Sequence, residues 1–158
     1  MANIFGELAY KIWDGEFAED QTDEIHRRTQ TDFISGWLES NLGQLNVLLD
    51  TNLSETTTSL TLEQQAVFYE LYMVHWYKKQ ARNVLKGIAS SSDFISLRDQ
   101  DTSITRNNRN ESAKTYYNLV KATQDRIDTL VKDYKSFEFN SVGPLQVAGI
   151  DASSTPSG

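Results

Sequence analysis

The chain has no cysteine, and only two of its 158 residues are histidine. Without cysteine there is no disulfide framework, no thiolate metal site and no cysteine nucleophile. His26 and His75 stand far apart in the sequence and form no HExxH or similar spacing that would set two ligands on one helical face. Glycine-rich phosphate cradles are missing too, because the eight glycines are scattered and none opens a GxxxxGK or GxGxxG run. Nor is there an apolar run of the roughly 18 residues needed to cross a bilayer. The greasiest stretch, Phe68 to Tyr77, is interrupted by Glu70 and His75. The opening residues, Met1 to Glu7, lack the basic region of a secretory signal, so the expectation is a protein made in, and not exported from, a reducing cytoplasm. Positive charge is in short supply, with 15 basic against 22 acidic side chains and a net charge of −7. Bulk attraction to nucleic acid needs a concentrated basic surface and is not expected.

What is present is the composition of a globular protein, 39% apolar and 23% charged, at a length typical of one domain. Among the first 24 residues, seven acids (Glu7, Asp14, Glu16, Glu19, Asp20, Asp23 and Glu24) face Lys11 alone, a net charge of −6. Such an end serves either as a solubilising face or as a surface for a basic partner.

Hydrophobic periodicity predicts a mainly α protein. Ile4, Phe5, Leu8, Ile12, Trp13 and Phe17 recur three and four apart, a short helix that Gly15 should weaken or end. A second helix is expected after Thr22 or Asp23, running through Phe33, Trp37, Leu38, Leu42 and Leu45, with Gly43 as a candidate C-cap. Asn52 to Ser59 reads as a loop. From Thr61, an N-cap followed by Glu63 and Gln64 in the capping-box region starts a helix of about seven turns. Lys78, Lys79, Arg82 and Lys86 load its last turns with positive charge, and Gly87 offers its end.

Phe94 to Leu97 and Thr102 to Thr105 are short β-prone runs, which predict a hairpin-like excursion before a second long helix from Asn110 to Tyr134. Beyond it, Phe137, Phe139, Val142, Leu145, Val147 and Ile150 alternate with small or polar residues, which favours an extended C-terminal arm. The expected architecture is an antiparallel helical bundle over residues 1–136 with two long helices, followed by the arm at 137–158.

No constellation of catalytic residues emerges. Asp99 and Asp101 resemble the start of a calcium loop, but its glycine and distal glutamate are missing, and turn chemistry explains both acids. Arg106 and Arg109, in a donor-rich run before a helix, are suited to phosphate or, more simply, to carboxylates of this chain or a neighbour. Tyr69, Tyr72, Met73, Trp76 and Tyr77 cover more of a helix circumference than a three-helix core requires, which suggests a subunit contact.

The helix end KKQARNVLKG and the stretch from Ser90 to Tyr134, above all SLRDQDTSITRNNRNESAKTY (Ser96 to Tyr116), resemble the head-to-tail connector, or adaptor, proteins of the neck of tailed bacteriophages. The resemblance covers a little over a third of the chain. It implies a non-enzymatic structural virion protein without a cofactor or metal. Its subunits would form a homo-oligomeric ring, commonly twelvefold, beneath the portal. The ring would join the portal to the tail or tail-terminator protein and extend a channel through which DNA passes without specific binding. It also implies assembly in the host cytoplasm, a final place in the virion neck and no membrane contact. On this reading the arm residues Phe137, Phe139, Val142, Leu145, Val147 and Ile150 meet the portal or a neighbour. Arg98, Asp99, Asp101, Arg106 and Arg109 form an inter-subunit loop. The alternative is a helical scaffold or regulatory module that grips one partner through its aromatic face.

Overall fold

A computed structural model describes residues 3–18, 23–90 and 101–151, and within them the side chains of all but 88–90, 101–109 and 139–151. Five α-helices and no strand occur among the described residues: α1 (Ile4–Glu16), α2 (Glu24–Ser40), α3 (Leu42–Leu49), α4 (Leu62–Ser90) and α5 (Asp101–Asp151). The protein is mainly α, as the periodicity predicts.

The helix starts follow from local chemistry. Asn3 caps α1 by accepting the Phe5 amide on Oδ1 at 3.1 Å. At α4 the capping box closes in both directions: Thr61 Oγ1 accepts the Gln64 amide at 3.2 Å, and Gln64 Oε1 accepts the Thr61 amide at 3.0 Å. Two donors that a helix start leaves orphaned are thereby satisfied.

The core forms where the apolar stripes of these helices meet. Phe5, Leu8 and Ile12 of α1 are buried with Ile34 and Leu38 of α2, Leu42, Leu45 and Leu49 of α3, and Val67 and Phe68 of α4. Phe5 and Phe68 meet edge to face, with ring centroids 6.4 Å apart. Arg27 ties α2 to α1 through two bonds to Asp14, at 3.1 and 2.7 Å, while its guanidinium lies over the Tyr10 ring. On α5, Val120 and Ile127 reach the same core. Gln64 meets Tyr134, Glu70 meets Arg126 and Trp76 meets Tyr116, so partners on α5 fall in number as α4 rises.

Several expectations are corrected. The predicted second helix breaks at Asn41 into α2 and α3, where the Asn41 amide bonds back to the Trp37 and Leu38 carbonyls and its side chain donates to Trp37 O at 2.8 Å. Side-chain competition of this kind is what makes asparagine a helix terminator. The left-handed cap belongs to Asp50, at φ 54°, and not to Gly43. Gly87 keeps helical geometry and α4 continues to Ser90.

α1 ends at Glu16, one residue after Gly15, as expected, and Gly15 also admits a close approach. A Cβ there would lie 3.1 Å from the Tyr69 hydroxyl, which donates to Glu16 Oε1 at 2.6 Å.

The hairpin-like excursion is corrected at Asp101 to Thr105, which form the first turns of α5; Phe94 to Leu97 lie outside the described residues. β-propensity is weak against context, and Asp101, Thr102 and Ser103 are residues that favour a helix start. The extended arm is corrected as well: 137–151 continue α5 without a break at 136, and 152–158 lie outside the described residues. Val142 and Leu145, like Val147 and Ile150, are also spaced by three. Extending an existing helix avoids the nucleation cost that a new element would carry.

Candidate interaction surface

Aromatic side chains of α1, α2 and α4 converge on Trp37. Its indole lies 5.0 Å from the His75 ring at 33° and 5.4 Å from the Tyr72 ring at 77°. Phe17 adds a contact to Trp76 at 5.1 Å, and Trp76 in turn meets Tyr116 of α5 at 6.2 Å. The surplus aromatic face of α4 is therefore used largely within the chain, with Tyr72, Trp76 and Tyr77 half-buried against neighbouring helices. Burial raises the Tyr72 hydroxyl above its ordinary value. Burial followed by the nearby cations Lys79 and Arg82 lowers His75, so its neutral imidazole is favoured. Tyr69 is raised by burial first and then by its bond to Glu16.

Trp37 and His75 form a wall between two open depressions. The larger, about 1070 Å³, lies between α3, α4 and α5, with Leu48, Leu71, Val74 and Ile127 as apolar lining and Lys78, Lys121 and Asp125 among its polar residues. The smaller, about 430 Å³, is lined by Trp13, Phe33, Tyr72, Trp76 and Lys79 among others. Exposed apolar side chains border both: Val47 is 78% and Phe33 69% exposed. Apolar side chains left open beside an apolar depression are suited to docking another surface. Among the described residues no group of three or more His, Asp or Glu is placed to hold a metal ion, and no helix is long and apolar enough to cross a membrane.

The residues expected to form an inter-subunit loop are distributed differently. Asp101, Arg106 and Arg109 lie on the first turns of α5, while Arg98 and Asp99 are outside the described residues. Of the arm residues, Phe137 is 76% exposed on α5. Phe139, Val142, Leu145, Val147 and Ile150 follow on the same helix. The cleft residues Val47, Leu48, Val74 and Ile127 are missed by sequence reasoning. Val47, exposed beside the buried Leu42, Leu45 and Leu49 of α3, is a signal visible only once the burial of its neighbours is known.

No family model, curated protein or solved structure matches the chain.

Proposed function

We propose that the chain is a structural head-to-tail adaptor of the neck of tailed bacteriophages, an antiparallel helical bundle that assembles as a ring between portal and tail. The observation that carries this reading is the far end of α5. Gln64, near the start of α4, meets Tyr134, so the remaining residues of α5 run past that start by about 25 Å at 1.5 Å per residue. From Phe139 to Ile150 this segment has no charged side chain, while Glu138 and Asp151 bracket it. A projecting, uncharged helix suits insertion into another protein, as an adaptor requires of its portal-docking segment. The open apolar faces suit side-to-side packing.

The reading is tested by mixing the purified chain with a cognate portal and examining the mixture by native mass spectrometry and electron microscopy. A ring coaxial with the portal is expected, lost when Val142 and Leu145 are both changed to Asp. A stable monomer that ignores the portal contradicts it and favours the helical binding module, whose partner would then occupy the α3–α4–α5 cleft.

A further inference from the structure

Charge in this chain is segregated. Residues 1–70 hold thirteen acidic and three basic side chains, a net charge of −10, whereas residues 71–121 hold four acidic and nine basic ones, a net charge of +5. Of the described basic side chains, Lys78, Arg82 and Lys86 of α4 and Lys114 of α5 lie beyond the Trp76–Tyr116 contact, and Lys121 lies on its other side. Lys78, Arg82 and Lys86 recur every four residues along about 12 Å of α4. Lys114 and Lys121, seven apart, form the matching row on α5. Lys78 and Lys121 line the same cleft, so the two rows adjoin. All five side chains are exposed and none forms an ion pair among the described residues. Leu85 (40% exposed) and Tyr117 (47%) lie among them.

A complementary face is found on α2. Opposite its buried stripe of Thr31, Ile34 and Leu38, the helix turns Ile25, Arg28, Asp32, Gly36 and Glu39 outward, with Phe33 at the edge, a face whose acids outnumber its single base. Asp32 and Glu39 form no ion pair among the described residues, and Ile25 is 74% exposed. A Cβ at Gly36 would meet nothing within 4 Å, so this face is open.

We infer that the basic strip of α4 and α5 in one copy receives the acidic outer face of α2 of a second copy. Opposite charges meet, and each side adds exposed apolar side chains to the contact. Because the two faces differ, one copy offers α2 to one neighbour and its strip to another, a head-to-tail arrangement that gives a ring where the rotation between copies closes. The inference deepens the adaptor reading by naming the faces that meet, but it concerns self-association alone. The opposing occupant, a nucleic acid, is disfavoured by the net −10 of residues 1–70 and the net −7 of the whole chain.

A charge-swap experiment on the full chain tests it. Sedimentation velocity in 50 mM salt is expected to show oligomers of the wild type that dissociate toward monomer at 500 mM. R82E/K86E and D32K/E39K each weaken association about tenfold or more. An equimolar mixture of the two variants associates again where positions 82 and 86 of one variant meet positions 32 and 39 of the other, since each reversed pair then faces an opposite charge. Circular dichroism of each variant checks that the helices persist. Wild type that is monomeric at both salt concentrations, variants that associate like wild type, or a mixture that fails to recover overturns the inference. So does a monomer whose strip binds duplex DNA in gel shift and loses it in R82E/K86E. Failure to bind a portal while the swap succeeds removes the adaptor reading and leaves this one standing.

Discussion

Phe68 is fully buried against Phe5 and near Trp37, so Phe68→Ala removes a large side chain from the centre of the core. A loss of about 3–5 kcal/mol is expected in urea denaturation. Trp13 is the opposite case. Its indole N–H is buried and has no hydrogen-bond partner among the described residues, a cost of about 1–3 kcal/mol. Trp13→Phe removes that donor while keeping much of the ring, and is expected to lose far less stability than Phe68→Ala in the same assay. His75 gives stability a pH dependence of definite sign. Its pKa is lowered in the folded chain by burial and then by Lys79 and Arg82, so the unfolded chain binds the proton more readily. The stabilisation is complete above the ordinary value of about 6.5 and is lost as pH falls through the lowered folded value. Between pH 7.5 and pH 5 the wild type should lose more stability than His75→Gln; equal losses contradict the assignment. The capping pair Thr61 and Gln64 is legible in the sequence because both partners fall within one turn. The stacking of His75 on Trp37 is not, because it joins two helices whose relative placement no local spacing reports.

Helices with strong periodicity were legible as helices, and their ends were less so. α1 and α4 follow their apolar stripes, but the break at Asn41 depends on a side chain bonding back to Trp37 O, which competes with glycine as the stop signal. At the C-terminal end of α5, a run of spaced apolar residues satisfies both the two-residue and the three-residue period, so periodicity alone does not choose. The helix there contains Pro144, which lacks the amide that would bond the Asn140 carbonyl and costs about 3 kcal/mol in a helix interior. Pro144→Ala should therefore strengthen the helical chemical shifts of 137–151 in NMR; extended-chain shifts there in the wild type would contradict a continuous α5. Ala81 of α4 and Ala113 of α5 are both buried. Ala81→Leu is expected to cost about 1–3 kcal/mol by overpacking, read as a lower urea midpoint.

At the scale of the whole molecule, the segregated charge, the open apolar faces and the projecting α5 all favour completion by other protein surfaces. The acidic start of the chain was legible by counting, and so were the lysines of α4. Their grouping with Lys114 and Lys121 was not, because it depends on how α4 and α5 lie against one another. The most direct measurement is the mass of the native particle, by native mass spectrometry, at low and at high salt. A ring-forming subunit predicts a multiple of the 18.0 kDa chain at low salt that falls toward a single copy as salt rises. A mass of one chain at every salt concentration would contradict it.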